Sequence, residues 1–491
     1  FAIRQLADYH RLAVDGESAA ALALDAGLDA ELPATDCYGA PLLRAIDAGL
    51  VSEESLDLAV RRVLCTKFDL GLFDEPYVDV AAAFRAAATP AHRELARTIA
   101  RKSLVLLRNN GVLPLAAGAS IAVIGPNADR ARNLFGDYAY PAHVESLQNV
   151  LDSGRSDLSS PGVESAEIDP VVIDAPSVLD ALRARANVSY ARGCDVTDPS
   201  DDGFAEAVAL AAKADVAVLV MGDKSGLTED CTSGEFRDRA SFDLPGVQEE
   251  LARAVLATGT PVVLVLVAGR PSGSAWLHEQ CAAVVMAWLP GEEGAEAIAD
   301  VLSGETNPGG RLPLSYPRTV GQVPVFYAHK ASGGRSQPVG DYVDELASPL
   351  YPFGHGLSYT TFELSDARIV EPKDGEIVVE TQVTNTGTRA GDEVVQLYTR
   401  DPQASVTRPE RELKSFLRLT LDAGETRRIT FRVPVGQLGF YDRDMNYVVE
   451  PGAIEVFLGQ SSAETVLVGT VSVDLADQKP VKAFHGSVAV E

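Results

Sequence analysis

One segment of the chain carries a dense run of charged side chains directly after an apolar stretch. The apolar stretch spans residues 216–221, and the polar run spans residues 222–239. Its charged side chains include the carboxylates Glu229, Asp230 and Glu235 and the arginines Arg237 and Arg239. Carboxyl groups can transfer protons and form covalent intermediates without a cofactor. Carboxylate chemistry is therefore one interpretation of this run, and a solvated charged loop is the other.

The surroundings of this run suggest where it lies in the fold. It follows a strand-like segment and ends before Leu244-Pro245-Gly246, which begins the next helical stretch. This order predicts a βα loop at the carboxyl end of a strand, where active groups of α/β sheets gather. A loop of this length without a periodic pattern is more often functional than structural.

The elements around the loop predict an α/β domain. Strand-like apolar runs occupy residues 121–125, 216–222, 261–269 and 282–288. Helical patterns lie between them, at residues 178–186, 204–214, 247–258 and 292–302. Fully apolar strands that alternate with helices indicate a mostly parallel sheet covered by helices on both faces.

The segments on either side of this domain have different patterns. Residues 17–73 are rich in Ala and Leu at helical spacing and predict two or three helices, with no sheet of their own. Residues 332–359 are rich in Gly, Pro and Ser, which is typical of a connecting segment. Short strands with intervening turns follow, at residues 376–380, 393–398, 427–433 and 453–459. They predict a β-sandwich of about 100 residues.

Composition excludes several classes of partner. The 491 residues are enough for two to four domains. Seventy acidic against 42 basic residues give a net charge of -28, which would repel nucleic acid and an anionic membrane surface. The apolar run at residues 261–268 is far shorter than the roughly 20 residues of a membrane-spanning helix. We expect neither nucleic-acid nor membrane binding, and the first residues have no signal-peptide pattern.

Metal and cofactor chemistry have no support in the sequence. The glycine-rich motifs of nucleotide-binding loops and the serine-hydrolase elbow do not occur, and the seven histidines form no metal-binding motif. The five cysteines have no paired CxxC spacing, and Cys194 and Cys231 are the one pair worth testing for a disulfide. We therefore expect no cofactor and no metal.

Several segments carry motifs that recur in one known family; they lie at residues 27–33, 67–73, 102–115, 124–128, 307–313, 352–362, 383–387 and 393–398. In this order they together resemble glycoside hydrolase family three, the retaining β-glucosidase and β-xylosidase family. The resemblance implies α/β plus all-β architecture: the end of a (β/α)8-type barrel, an α/β sandwich and a fibronectin-type-III-like domain. The implied ranges are 1–75 for the barrel end, 76–115 for a linker, 116–325 for the α/β sandwich, 326–365 for a connecting segment, 366–475 for the fibronectin-like domain and 476–491 for a tail.

The resemblance also implies roles for the charged loop. The segment from Ser233 to Arg239, placed before Leu244-Pro245-Gly246, is similar to the family's acid/base loop, which makes Glu235 the expected acid/base. Glu229 is the rival for that role. Glu229, Arg237 and Arg239 are also the expected substrate-binding residues. The family's nucleophile is an Asp of the barrel, which would lie upstream of Phe1, and Asp8 is only a superficial lookalike.

The expected function is that of a retaining, exo-acting β-glycosidase that releases terminal β-D-glucosyl residues by double displacement. The alternatives are a β-xylosidase of the same family and a non-catalytic fragment that acts only as accessory domains. The expected partners are a β-linked oligosaccharide or glycoside and the missing N-terminal barrel portion, and a homo-oligomer stays open. A cytoplasmic location is favoured, while secretion stays open because the resemblance places the true N-terminus upstream.

Overall fold

The computed structural model divides into two compact units, residues 1–90 and 91–491. It describes residues 2–32, 34–87, 89–153, 173–331, 340–373, 375–474 and 486–491. Residues 332–339 of the predicted connecting segment and 476–485 of the predicted tail lie outside this description.

The first unit is helical. Its helices are α1 (Ala2–Asp8), α2 (Gly16–Asp25), α3 (Ala40–Asp47), α4 (Glu53–Asp69) and α5 (Val80–Ala86), and its described residues contain no strand. Helix α2 begins with a capping box, in which the side chain of Asp15 accepts from the backbone N–H of Ser18. A small core gathers Ala19, Ala20 and Leu42, whereas α4 buries only Ala59 of its 17 residues.

The second unit begins with a six-stranded sheet and its helices; the sheet is mostly parallel, as predicted from the sequence, and two of its strands were not predicted. The strands are β1 (Val105–Asn109), β2 (Ser120–Ile124), β3 (Asn187–Ala191), β4 (Val216–Gly222), β5 (Val262–Val267) and β6 (Ala283–Met286). The helices are α6 (Pro90–Ser103), α7 (Tyr140–Ser153), α8 (Val178–Arg183), α9 (Phe204–Ala211), α10 (Gln248–Leu256), α11 (Ala275–Gln280) and α12 (Gly294–Ser303). The strand order is β1-β6-β5-β4-β2-β3, with only β1 antiparallel to its neighbour.

The apolar runs form strands because both faces of the sheet are covered. In β4, Val218 and Val220 point into the same core cluster as Ile298 of α12. The alternate residue Leu219 packs in the opposite cluster with Leu251 of α10. This alternation buries every residue of the strand, as the uninterrupted apolar sequence predicts.

A β-sandwich completes the second unit and confirms the predicted fibronectin-like fold. Its strands are β7 (Phe362–Lys373), β8 (Glu376–Asn385), β9 (Gly391–Arg400), β10 (Glu412–Leu421), β11 (Thr426–Pro434), β12 (Phe440–Tyr441), β13 (Tyr447–Val448), β14 (Gly452–Gly459), β15 (Thr465–Val473) and β16 (Ser487–Val490). Two four-stranded antiparallel sheets, β10-β9-β14-β15 and β16-β11-β8-β7, enclose its core. Strand β16 lies in the range predicted as a tail and pairs with β11.

A buried ion pair joins the two parts of the second unit. Arg311 lies after α12, and its Nη2 is 3.0 Å from Oε1 of Glu393 in β9, whose side chain is 1% exposed. Gln396 of β9 also donates to the carbonyl of Gly354 at 3.2 Å. Because a buried charge is costly without its partner, these contacts fix the β-sandwich against the α/β part.

Two further features bear on expectations from the sequence. All five cysteines are free thiols, so Cys194 and Cys231 form no disulfide. Among the described residues, the helices are too short or too polar to cross a membrane.

Candidate active site

The charged loop begins at a buried aspartate at the carboxyl end of β4. Asp223 is 1% exposed, and its Oδ1 accepts from Thr232 Oγ1 at 2.9 Å. Arg270, which follows β5, brings Nη2 to 3.5 Å from the same oxygen and also donates to the carbonyl of Thr232. Burial raises the pKa of the Asp223 carboxyl, and the Arg270 guanidinium opposes that rise. The pair ties the loop to the ends of two adjacent strands.

The loop then folds back on itself. The N–H of Thr232 donates to the carbonyl of Lys224 at 2.9 Å, and the N–H of Gly226 donates to the carbonyl of Ser233 at 3.0 Å. Glu229 lies in the tip between these paired segments and is exposed. Its side chain forms no hydrogen bond or ion pair with any residue that the structure describes.

Asp230, in the same tip, is held by neighbours. Its carboxylate is 2.6 Å from Lys224 Nζ and accepts from Thr228 Oγ1 at 2.6 Å. Burial alone would raise the pKa of Asp230, but the bonds from Lys224 and Thr228 outweigh it, and the pKa is lowered. Asp230 is therefore an ion-paired structural carboxylate.

Glu235 lies beyond the paired segments and is bound at two points by a different loop. Its backbone N–H donates to Oδ2 of Asp137 at 3.0 Å. Its Oε2 accepts from the hydroxyl of Tyr138 at 2.7 Å, and this bond raises the pKa of the tyrosine. The carboxylate is exposed to solvent, and Oε1 accepts from no described residue.

The segment that carries Asp137 and Tyr138 is itself anchored. It follows β2 through a short 3-10 helix, Ala131–Leu134. Arg132 of this helix binds both carboxylate oxygens of Glu145 at 2.8 Å and donates to the carbonyl of Ser225 at 3.0 Å. Arg132 thus contacts the charged loop before its tip, at Ser225, and Asp137 and Tyr138 contact it after the tip, at Glu235.

The backbone beside Glu235 adopts two conformations that side chains disfavour. Gly234 has φ +120°, and a Cβ there would lie 2.3 Å from the carbonyl oxygen of Gly226. Phe236 has φ +61°, in the left-handed region, and 86% of it is exposed. Left-handed bulky residues are rare and gather at functional sites.

The two arginines expected to bind substrate, Arg237 and Arg239, are half-buried. The N–H of Arg237 donates to the carbonyl of Gly234, and its Nε is buried without a partner among the described residues. Arg239 is close enough to Asp223 to lower the pKa of that carboxyl. The structure therefore brings Arg239 to the Asp223–Arg270 anchor and leaves Glu229 in the separate tip.

Four residues of this site were not singled out from the sequence: Asp137, Tyr138, Asp223 and Arg270. Asp223 opens the polar run, and Arg270 directly follows a strand-like run. Asp137 lies in the chain segment after the first predicted parallel strand. The carboxyl ends of parallel strands meet at one edge of a sheet. The polar residues in the loops after residues 124 and 267 were therefore the signal in the sequence that could have identified Asp137, Tyr138 and Arg270.

The described residues of the site include a carboxyl group placed for proton transfer. No group of His, Cys, Asp and Glu side chains in the described part of the chain could hold a metal ion. An exposed carboxylate with one oxygen held by a hydroxyl can give or take a proton at its other oxygen.

Two family models match the chain. The model of the glycosyl hydrolase family 3 C-terminal domain matches residues 104–359, which include the charged loop. The chain belongs to glycosyl hydrolase family 3. A fibronectin type III-like domain model matches residues 393–462.

Similar proteins support membership of the same family. The chain is 37% identical to a periplasmic β-glucosidase of Salmonella typhimurium over 92% of this chain and 60% of that protein. It is also 37% identical to a β-xylosidase of Formosa agariphila, over 94% of this chain and 62% of that protein. A mutant β-glucosidase from Listeria innocua in complex with laminaribiose aligns with a TM-score of 0.83 and 34% identity, covering 96% of this chain and 62% of that one. The chain thus spans about 60% of the length of these family 3 relatives.

Proposed function

We propose that the chain is the C-terminal part of a retaining, exo-acting β-glycosidase in which Glu235 is the general acid and base. The substrate is a β-linked oligosaccharide or glycoside, and the product is its terminal non-reducing β-D-glucosyl residue. The nucleophile is an Asp of the family's barrel, upstream of residue 1. Glu235 therefore supplies one half of a carboxylate pair.

The geometry of the Glu235 carboxylate is the observation that carries this proposal. The side chain lies in a loop at the carboxyl end of β4 and is exposed to solvent. Tyr138 engages Oε2 at 2.7 Å, while Oε1 accepts from no residue that the structure describes. Glu229 has no such support for its side chain. A fixed carboxyl with one available oxygen suits proton donation to a leaving group.

The proposed reaction uses Glu235 twice. In the first step the barrel Asp attacks the anomeric carbon, the glycosidic C–O bond breaks, and the Glu235 carboxyl gives its proton to the leaving oxygen. In the second step the Glu235 carboxylate takes a proton from water, whose oxygen displaces the Asp from the anomeric carbon. Two displacements restore the β configuration.

Replacement of Glu235 in the protein that includes the barrel tests its role. We expect Glu235→Gln to lower kcat/KM by about 100- to 10,000-fold for an alkyl or oligosaccharide leaving group, which needs a proton. An activated aryl glycoside should lose far less in its first step, because its leaving group departs as the anion. The measurement is kcat/KM for a series of aryl β-glucosides with different leaving-group pKa values.

Azide provides the second readout. In Glu235→Ala the covalent intermediate lacks its base, and added azide should restore turnover and give a β-glycosyl azide. Glu229→Gln is the matched control, since Glu229 is the rival carboxylate of the same loop. A leaving-group dependence in Glu229→Gln and none in Glu235→Gln would reverse the assignment.

The β-xylosidase alternative rests on the similarity to a named β-xylosidase. A β-glucoside and a β-xyloside differ by the hydroxymethyl group at C5, so the barrel loops around that carbon govern the choice. The ratio of kcat/KM for the same aryl aglycone on glucose and on xylose decides between the two substrates. A ratio in favour of xylose would replace the glucosidase proposal and leave the role of Glu235 unchanged.

A further inference from the structure

We propose that Asp137 and Tyr138 are positioning residues for Glu235, an inference that rests on the proposed role of Glu235. Asp137 holds the backbone of the glutamate through Oδ2 at 3.0 Å, and Tyr138 holds its carboxylate through the hydroxyl at 2.7 Å. Two adjacent residues thus fix both the backbone and the side chain of one glutamate on another loop.

The residues just before Asp137 and Tyr138 are packed in the core and hydrogen-bonded, which holds this segment in place against Glu235. Leu134, three residues before Asp137, is fully buried, and its carbonyl accepts from the N–H of Gly291 at 2.9 Å. Asn133 is 1% exposed and donates to the buried Asn127 side chain at 2.7 Å. The segment therefore projects from the packed core rather than from a solvated loop.

The tyrosine also decides which oxygen of Glu235 carries the transferable proton. A phenol that donates to Oε2 leaves Oε1 as the oxygen to be protonated, and a carboxyl group rotates freely without such a bond. Proton transfer to a leaving oxygen needs the donor within about 3 Å and correctly aligned. Tyr138 therefore contributes to the proton-dependent steps and little to the departure of an activated leaving group.

Tyr138→Phe, in the protein that includes the barrel, is the direct test. Loss of one hydrogen bond should lower kcat/KM for a poor leaving group by about three- to tenfold. An activated aryl glycoside, measured as the first-step rate, should change less than about twofold, because it needs no proton. Tyr140→Phe is the matched control: Tyr140 is 69% exposed, close to the 65% of Tyr138, and lies two residues away.

The difference between poor and activated leaving groups is the readout that a merely structural role would not move. A variant that only weakened the fold would lower the rate for both kinds of leaving group alike.

Asp137 tests the other contact. Asp137→Ala removes the acceptor of the Glu235 N–H and should reproduce the selective loss on poor leaving groups, whereas Asp137→Asn keeps an acceptor oxygen and should recover most of it. An equal loss on both kinds of leaving group in Tyr138→Phe, or no recovery in Asp137→Asn, would overturn the positioning role. If Glu235→Gln shows leaving-group dependence and Tyr138→Phe does not, only this inference fails. If neither shows it, the acid/base role itself has failed.

Discussion

At the scale of single residues, the location of Glu235 depends on the glycine before it. Gly234 has φ +120°, and its α-carbon faces the Gly226 carbonyl so closely that a Cβ would lie 2.3 Å away and 3.0 Å from Cβ of Asp137. Any side chain at this position must therefore push the loop away from both neighbours. Glu235 would move with it.

We expect Gly234→Ala to lower kcat/KM for a poor leaving group by about 100-fold, because a displacement of about 1 Å at a reacting group costs that much. The matched control is Gly118→Ala, at φ +82° with no atom within 4 Å of the added Cβ. Both variants should lose about 1 to 2 kcal/mol of unfolding free energy from the positive φ, and Gly234→Ala should lose more because its Cβ also meets the Gly226 carbonyl. Only Gly234→Ala should lose activity, and an active Gly234→Ala would contradict the close packing of this loop.

The sequence predicted part of this site and not the rest, for a physical reason. Glu235 was found by the resemblance of its local motif, which needs only contiguous residues. Its partner Tyr138 is 97 residues earlier in the chain, and nothing in the local pattern indicates that its hydroxyl meets Glu235. The substrate-binding roles of Arg237 and Arg239 stay predictions: the backbone N–H of Arg237 donates within the loop, and Arg239 lies near Asp223.

At the scale of elements, the strands that were predicted from the sequence are those that are buried on both faces. Strands β2, β4, β5 and β6 were predicted because both of their faces are covered, which demands uninterrupted apolar residues. The edge strands β1 and β3 were not predicted, since β1 ends with Arg108 and Asn109 and β3 is only half-buried. As a result, β1 lies inside the range predicted as a linker and pairs with β6.

The Asp223–Arg270 pair at the ends of β4 and β5 should make the free energy of unfolding depend on pH. Burial raises the native pKa of Asp223, so the unfolded state, with a pKa of about 3.9, loses its proton first and stability falls as pH rises through that window. Arg270→Met removes the opposing charge and should raise the native pKa further. We expect a loss of about 2 to 3 kcal/mol near neutral pH, less than for a fully buried pair because the Arg270 side chain is 26% exposed.

Urea unfolding near pH 7 and near pH 4 measures this effect. The loss in Arg270→Met should be smaller at the lower pH, because the raised native pKa then leaves less of the Asp223 charge in need of a partner. Adding Asp223→Asn to Arg270→Met should recover part of the stability, because no unpaired charge then remains buried. A loss that is the same at both pH values would mean that Arg270 acts through packing and its hydrogen bond to the Thr232 carbonyl, not through the charge of Asp223.

At the scale of the whole molecule, the net charge of -28 gives little information on function, because it is spread over both units. The proposed chemistry instead divides between this chain, which holds Glu235, and the family's barrel. In the first unit, helix α4 leaves Leu58, Val60, Leu64 and Phe68 at least 42% exposed. Exposed apolar side chains in such number are typical of a surface that another segment covers.

This division predicts that the 491-residue chain alone does not turn over an aryl β-glucoside or an aryl β-xyloside, because the proposed nucleophile is an Asp of the family's barrel. Supplying the N-terminal barrel, on the same polypeptide or as a separate chain, should produce turnover, and the same barrel with a Glu235→Ala chain should produce little without azide. Turnover by the isolated chain would show that the nucleophile lies within these residues. No turnover with the barrel present would favour the alternative in which these domains have only an accessory role.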